Sequence, residues 1–131
     1  MRARILLAGA AVLIGAALAA APASAQIPAG NHYVCHKVKD LKVPAKFVAN
    51  TSTAIDQVAN HTLSVKKPFL LCNPSIKNGN PIVDAALHYC CYKAKGGKFA
   101  VSYDVTDQFG PLRLQTKKPF LLCNPCSKVP A

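Results

Sequence analysis

Cysteine is the residue type in this chain whose number and spacing offer the most chemistry. The chain contains six, at Cys35, Cys72, Cys90, Cys91, Cys123 and Cys126. An even number of cysteines in a small exported domain predicts a disulfide framework. Cys123-Asn124-Pro125-Cys126 also matches the C-x-x-C motif of thiol–disulfide oxidoreductases, in which a helix N-terminus activates the first thiolate. No helical pattern follows this motif, so we predict structural bridges and keep a redox activity as the alternative function.

Two long segments of the chain occur twice. His32–Lys39 is similar to His88–Lys95, and Lys66–Pro74 is identical to Lys117–Pro125 at all nine positions. Such self-similarity predicts two copies of one structural unit, each of about 45 residues. We place the copies at residues 32–77 and 88–128.

The repeat restricts how the cysteines can pair. Cys35 corresponds to Cys91 and Cys72 to Cys123, whereas Val34 and Ser75 occupy the positions that correspond to the other two cysteines. The simplest symmetric pairing is Cys35–Cys72, Cys91–Cys123 and an extra Cys90–Cys126 bridge. A swapped pairing, Cys35–Cys123 with Cys72–Cys91, is also symmetric and would intertwine the units. Both remain open at this point, because six cysteines allow 15 pairings.

A zinc site would need the same thiolates in a free state. Cys35 with His32 or His36, or Cys123 with Cys126, has a spacing that tetrahedral zinc accepts. An oxidising compartment favours disulfides over free thiolates, so we predict neither a metal site nor a cofactor. His32 and His88 occupy equivalent positions and are expected to begin strands rather than to act as bases.

Alternating and wholly apolar segments predict strands. Residues 99–105 and 112–116 alternate in polarity, as half-buried strands do, and both Phe-Leu-Leu-Cys segments are apolar, as buried strands are. We expect an all-β fold with about four strands per unit, one of them at each Lys-Phe pair. Residues 43–59 could hold a loop or a helical turn, and residues 82–87 a short helix. Since a unit of this size rarely folds alone, we expect the two units to pack face to face as a sandwich or small barrel.

The first 25 residues have the pattern of a cleavable signal peptide. Arg2 and Arg4 precede an uncharged apolar segment, Ile5–Ala21, which is shorter than the about 20 residues that span a bilayer. Small residues then predict cleavage between Ala25 and Gln26. This leaves a single β domain at residues 26–131, secreted or periplasmic, with no membrane span.

The charge of the chain is strongly positive. Sixteen lysines and arginines oppose five aspartates and no glutamate, which gives a net charge of +11. Such a charge favours anionic partners, and the duplicated lysine pairs Lys66, Lys67, Lys117 and Lys118 are candidate anion-binding residues. Few aromatic residues lie among the lysines, and export also argues against specific nucleic-acid recognition. An anionic polymer of the envelope or extracellular space is therefore the predicted partner.

Catalytic constellations are missing from the sequence. Paired carboxylates for glycoside hydrolysis, a G-x-S-x-G elbow, an H-E-x-x-H helix and a phosphate-binding glycine loop are all absent. The recurring Asp56-Gln57 and Asp107-Gln108 are expected to bond to backbone groups in turns. The sequence thus predicts an exported, non-enzymatic structural or binding module.

The pattern H-Y-x-C-[HY]-K-x-K followed by K-P-F-L-L-C-N-P resembles a family of uncharacterised secreted bacterial domains, in which similar strands recur in tandem. The resemblance covers nearly all of the chain after residue 25 and implies location without implying an activity. It rests on Cys35, Cys72, Cys91 and Cys123, with Lys37, Lys39, Lys93, Lys95, Pro68 and Pro119. Cys90 and Cys126 depart from the family's pattern.

Overall fold

A computed structural model describes residues 27–131, so the predicted signal peptide and its cleavage site lie outside the described residues. Within this range the chain forms seven strands and no helix, which confirms the all-β prediction. The strands are β1 (His32–Lys37), β2 (Asn50–Ile55), β3 (Asn60–Ser75), β4 (His88–Lys95), β5 (Ser102–Asp107), β6 (Gly110–Gln115) and β7 (Leu121–Cys126).

Five of the strands form one antiparallel sheet. Its order is β1-β3-β4-β7, and β2 pairs with the first part of β3, while β5 and β6 form a separate two-stranded sheet. The expected face-to-face packing of two units is therefore wrong, and the sheet does not close into a barrel. Strand β3 is paired along both edges, with β1 and β2 on one side and β4, the next strand in the chain, on the other, so its backbone N–H and C=O groups find partners within the sheet.

Strand β3 is long because it continues through the first lysine pair. The register of β3 against β4 shifts between Val65 and Lys67 and again between Pro68 and Leu70. Proline has no N–H to donate to a neighbouring strand. Within a paired strand it is therefore found at irregular positions such as these. In the second copy β6 ends at Gln115 and β7 begins only at Leu121, so identical sequence does not give identical structure throughout.

Three local expectations are corrected by the structure. The Lys-Phe pairs at residues 46–47 and 98–99 lie outside strands, and β5 begins only at Ser102. The segment 43–59 contains β2 rather than a helical turn. Residues 82–87 form a turn instead of a short helix, because the Asp84 side chain accepts a hydrogen bond from the Ala86 N–H at 3.0 Å. An aspartate that bonds locally in this way stabilises a turn over helix.

The buried core is small for a domain of this size. Five apolar residues are buried: Leu63, Val65, Cys72, Cys91 and Ala94. Phe47, Ala54, Tyr92 and Leu122 are partly buried against Leu63, Val65 and Ala94. Two of the five buried residues are half-cystines, so covalent bonds and apolar packing share the centre of the sheet.

Three disulfides join the strands in pairs. The bonds are Cys35–Cys72 between β1 and β3, and Cys91–Cys123 and Cys90–Cys126 between β4 and β7. This is the first of the two pairings that the repeat allowed, and the swapped pairing does not occur. Cys35 lies directly opposite Cys72 and Cys91 directly opposite Cys123, so the two strand pairs β1–β3 and β4–β7 have the same local register.

Candidate anion-binding groove

The first lysine pair lines an open concavity of about 390 Å³ beside the bulged part of β3. Four further lysines, from the end of β1 and the loop that follows it, line the same space. We call this surface the lysine groove and define it by its six exposed lysines, Lys37, Lys39, Lys42, Lys46, Lys66 and Lys67.

The second lysine pair does not belong to this groove. Lys117 and Lys118 line a different concavity, of about 220 Å³, together with Asp56 and His61. The four lysines that the repeat suggested as one symmetric grip are therefore divided between two places. Only Lys66 and Lys67 are brought together with additional cations.

One aspartate fixes the loop that carries Lys39, Lys42 and Lys46. The carboxylate of Asp40 accepts hydrogen bonds from the backbone N–H of Lys42 at 2.8 Å and of Phe47 at 2.9 Å. These two bonds, first that of Phe47, lower the pKa of Asp40 below its ordinary value. Asp40 is the single acidic residue that lines the groove, and its charge is directed towards the backbone of the loop.

The loop is also attached at both of its ends. At its start, the Val38 N–H donates to the Phe69 carbonyl at 3.0 Å and so extends the ladder between β1 and β3. Near its other end, the ring of Phe47 lies 5.0 Å from the ring of Tyr92 and packs against the core. The loop thus presents its lysines from a fixed frame.

The floor of the groove is apolar. Val38, Phe47, Pro68 and Phe69 line it between the lysines. Lys93, on the neighbouring strand β4, lies beside Phe69. Its Nζ is 4.7 Å from the centroid of the Phe69 ring, which is within the range of a cation–π interaction. An apolar floor keeps water from one side of the lysine side chains and lowers the screening of their charge.

The positive charges near the groove repel one another. Lys67 on β3 lies directly opposite Lys93 on β4, and like charges at directly opposed positions destabilise a sheet. A bound anion would remove this repulsion, so the arrangement favours an anionic ligand on electrostatic grounds.

Four of the six groove lysines, namely Lys37 at the end of β1 and three in the loop after it, were not among the anion-binding residues predicted from the sequence. Lys39, Lys42 and Lys46 are spread over a segment with no regular period, and only the hydrogen bonds of Asp40 show where that segment folds back. Their signal in the sequence was the local density of lysine, which is also typical of a solvated loop.

We expect Asp40→Ala to weaken binding of an anionic polymer, although the change removes a negative charge from the groove. Without the carboxylate the N–H groups of Lys42 and Phe47 lose their acceptor, and the loop lysines lose their fixed positions. Asp40→Asn should have an intermediate effect, because the two bonds use different carboxylate oxygens and the amide keeps only one acceptor oxygen. Calorimetric titration with polyphosphate measures both variants. Tighter binding of the alanine variant than of the wild type would contradict the role given to Asp40.

Both recurring aspartates have the turn role expected from the sequence. Asp56 accepts from the N–H groups of Val58 at 2.8 Å and Ala59 at 3.0 Å, and Asp107 accepts from that of Phe109 at 2.8 Å. These contacts confirm the prediction of side-chain bonds to the backbone of turns.

The histidines are dispersed. Nε2 of His32 lies 3.4 Å from Nε2 of Gln108, and Nδ1 of His88 is buried with no hydrogen-bond partner in the described part of the chain. No sequence pattern predicted the contact between His61 and Asp56, whose Nε2 and Oδ1 atoms are 3.0 Å apart. This contact lowers the pKa of Asp56, although the backbone bonds from Ala59 and Val58 contribute more.

The two cysteines of the C-x-x-C motif are not bonded to each other in this structure. Cys123 is bound to Cys91 and Cys126 to Cys90, and residues 27–131 contain no free cysteine. The sulfurs of Cys123 and Cys126 are therefore engaged in bridges to β4, and that of Cys35 in a bridge to β3.

A scan against protein-family models and searches of curated proteins and of solved structures found no match to this chain. Among the described residues, no group of three or more histidine, cysteine and acidic side chains is placed to hold a metal ion. The part of the chain from residue 27 onwards also has no helix long and apolar enough to cross a membrane.

Proposed function

We propose that this protein is an exported, non-enzymatic binding module that holds an anionic polymer in the lysine groove. The observation that carries the proposal is the convergence of six lysines from two separate segments around one concavity. Scattered surface lysines would give a general positive field, whereas this arrangement concentrates it along one short path.

Lysine suits a polymer whose anionic groups vary in position. Its ammonium group is a compact point charge on a flexible stem, and it lacks the planar fork with which arginine fixes one geometry. No arginine of residues 27–131 lines the groove, so it favours phosphate, sulfate or carboxylate groups along a chain without demanding one orientation. Binding of this kind releases counterions and weakens steeply as salt is added.

The proposed location outside the cytoplasm agrees with the covalent structure. Three disulfides are consistent with an oxidising compartment. The predicted signal peptide at residues 1–25 supplies the route, and secretion or a periplasmic location follows from it. Anionic polymers of the cell envelope are present in such compartments as partners.

The two copies of the repeat supply a matched test of the groove. K66E/K67E and K117E/K118E make the same change of charge in the same local sequence, Lys-Lys-Pro-Phe-Leu-Leu-Cys. We expect K66E/K67E to weaken binding to polyphosphate at least about tenfold, since each reversed contact changes the interaction by on the order of 1 kcal/mol or more. K117E/K118E should lose clearly less affinity for polyphosphate, because Lys117 and Lys118 line another concavity.

Binding is best followed by calorimetric titration over a series of salt concentrations. We expect K66E/K67E also to flatten the dependence of the affinity on salt, because fewer counterions are released. Equal losses in the two variants would assign binding to net charge alone. No loss in K66E/K67E would refute the groove as the binding site.

A further inference from the structure

Four of the six cysteines form a continuous row across the sheet. Their strands lie in the order β1-β3-β4-β7, so the row reads Cys35–Cys72 followed by Cys91–Cys123. Cys72 lies opposite Tyr89, two residues from Cys91, and therefore shares a face of the sheet with Cys91. The Sγ atoms of Cys72 and Cys91, which belong to different disulfides, are only 4.0 Å apart.

The row is exposed at its ends and buried in its middle. Cys35 and Cys123, on the outer strands, are exposed. Cys72 and Cys91, on the central strands, are 5% and 2% exposed. An external thiol can thus reach either end of the row but neither of the two central sulfurs.

We propose that this row is a thiol–disulfide exchange site, at which an external thiol moves one disulfide from the outer strand pairs to the central pair Cys72–Cys91. The inference uses bonds and distances on the sheet and does not depend on the lysine groove. The ligand class is a thiol, either of low molecular weight or on a protein.

Each step exchanges one sulfur for another. A thiolate attacks Sγ of Cys35, an exposed residue, forms a mixed disulfide with it, and releases Cys72 as a thiolate. Cys72 then attacks Sγ of Cys91, forms the Cys72–Cys91 bond, and releases Cys123, which takes up a proton from water. A second external thiolate attacks the external sulfur of the mixed disulfide. Cys35 is released as a thiolate and takes up a proton from water. Two external thiols are thereby oxidised to one disulfide, and one protein disulfide is reduced.

The second step is favoured by electrostatics and by position. A thiolate at buried Cys72 is poorly solvated, whereas the departing thiolate at Cys123 faces water, so the negative charge moves to where it is stable. Since β4 lies between β3 and β7, Cys72 and Cys123 are on the two strands that flank Cys91. In disulfide exchange the attacked sulfur bonds to the incoming thiolate as its bond to the leaving sulfur breaks. Entry at Cys123 runs the same sequence in reverse order and gives the same product.

The product bond fits the sheet. Cys72 lies two residues beyond Leu70, the partner of Cys91. Cys126 likewise lies two residues beyond the partner of Cys90, and these two already form a disulfide with a Cα–Cα distance of 5.9 Å. A bridge between diagonal positions is therefore present elsewhere in the same sheet.

The test is a map of thiols and disulfides after mild reduction of the protein with glutathione under native conditions. Free thiols are alkylated, and the peptides are identified by mass spectrometry without further reduction. We expect Cys35 and Cys123 to carry the label and a new peptide to contain Cys72 bound to Cys91. Joint labelling of Cys35 with Cys72, or of Cys91 with Cys123, without the new bond would overturn the proposal.

The variant C90V/C126S is the matched control, because Val34 and Ser75 occupy the corresponding positions of the first copy. It removes the disulfide that lies outside the row and should give the same Cys72–Cys91 product as the wild type. If the product fails to form in this variant, the four-cysteine row is not the exchange site. Reduction of Cys90–Cys126 in the wild type before any labelling of Cys35 or Cys123 would also show that the row is not the exchange site.

Discussion

Complete reduction of the three disulfides is expected to unfold residues 27–131. The bridges close loops with sequence separations of 37, 36 and 32 residues, and a loop of this length stabilises a domain by about 4 kcal/mol in the loop-entropy model. The total stability of a domain is typically about 5–15 kcal/mol. Among the described residues only three apolar side chains besides the half-cystines are buried, so apolar packing cannot replace this contribution.

Circular dichroism with excess dithiothreitol and a chelator measures the effect. We expect the β signal to be lost at room temperature and to return when the reductant is removed under oxidising conditions. A fully alkylated protein that keeps its β signal and a cooperative thermal transition would contradict the expectation.

The three bridges should not contribute equally. Cys90 is adjacent to Cys91, and Cys126 is three positions after Cys123, so their two bonds close almost the same loop. Once one of them is formed, the other adds only a very short loop. C90V/C126S should therefore lower the free energy of unfolding by much less than about 4 kcal/mol, whereas removal of both β4–β7 bridges should lower it by the full amount.

The cysteine pairing is the part of the structure that the sequence predicted best. Cysteines that match between copies must pair in equivalent ways, and the unmatched Cys90 and Cys126 occur in the same copy. Together these facts reduced the possible disulfide pairings to two. Composition alone could not decide between them, because the choice depends on which strands are neighbours in the sheet.

The relation between the two units could not be predicted in the same way. The apolar Phe-Leu-Leu-Cys segments predicted buried strands, but of their eight residues only Cys72 is buried, and Phe120 is 68% exposed. In the structure β4 pairs with β3 through seven residue pairs, so the units join edge to edge. Backbone pairing of this kind uses N–H and C=O groups that nearly every residue carries, so the side chains do not specify which strand becomes the neighbour.

The groove shows the same limit at a local level. The duplicated Lys-Lys-Pro segments were identical in sequence and were therefore given the same role. Their surroundings differ, because Lys66 is part of a continuous strand whereas Lys117 lies between β6 and β7. The contacts of Asp40 and Phe47, which bring the loop lysines to the first pair, join positions that no periodic pattern connects.

The second large effect is expected at Leu63. This residue is 3% exposed and lies with Val65 and Ala94 in the buried cluster. Its Cδ2 also lies 3.0 Å from where a side chain at Gly96 would begin, so the absence of that side chain makes room for Leu63. Leu63→Ala would leave a cavity beside Val65 and Ala94, the other members of the buried cluster. The usual loss for such a change is about 2–5 kcal/mol.

Ile55→Ala is the control, because Ile55 is on the adjacent strand β2 and is 78% exposed. It removes a side chain of similar size, with an expected change within about 0.5 kcal/mol. Urea unfolding of the oxidised proteins measures both variants at a common slope. Because the disulfides remain closed, the difference between the two variants reports apolar packing alone. Equal midpoints for Leu63→Ala and Ile55→Ala would mean that the bridges, and not the small core, supply nearly all of the stability of this sheet.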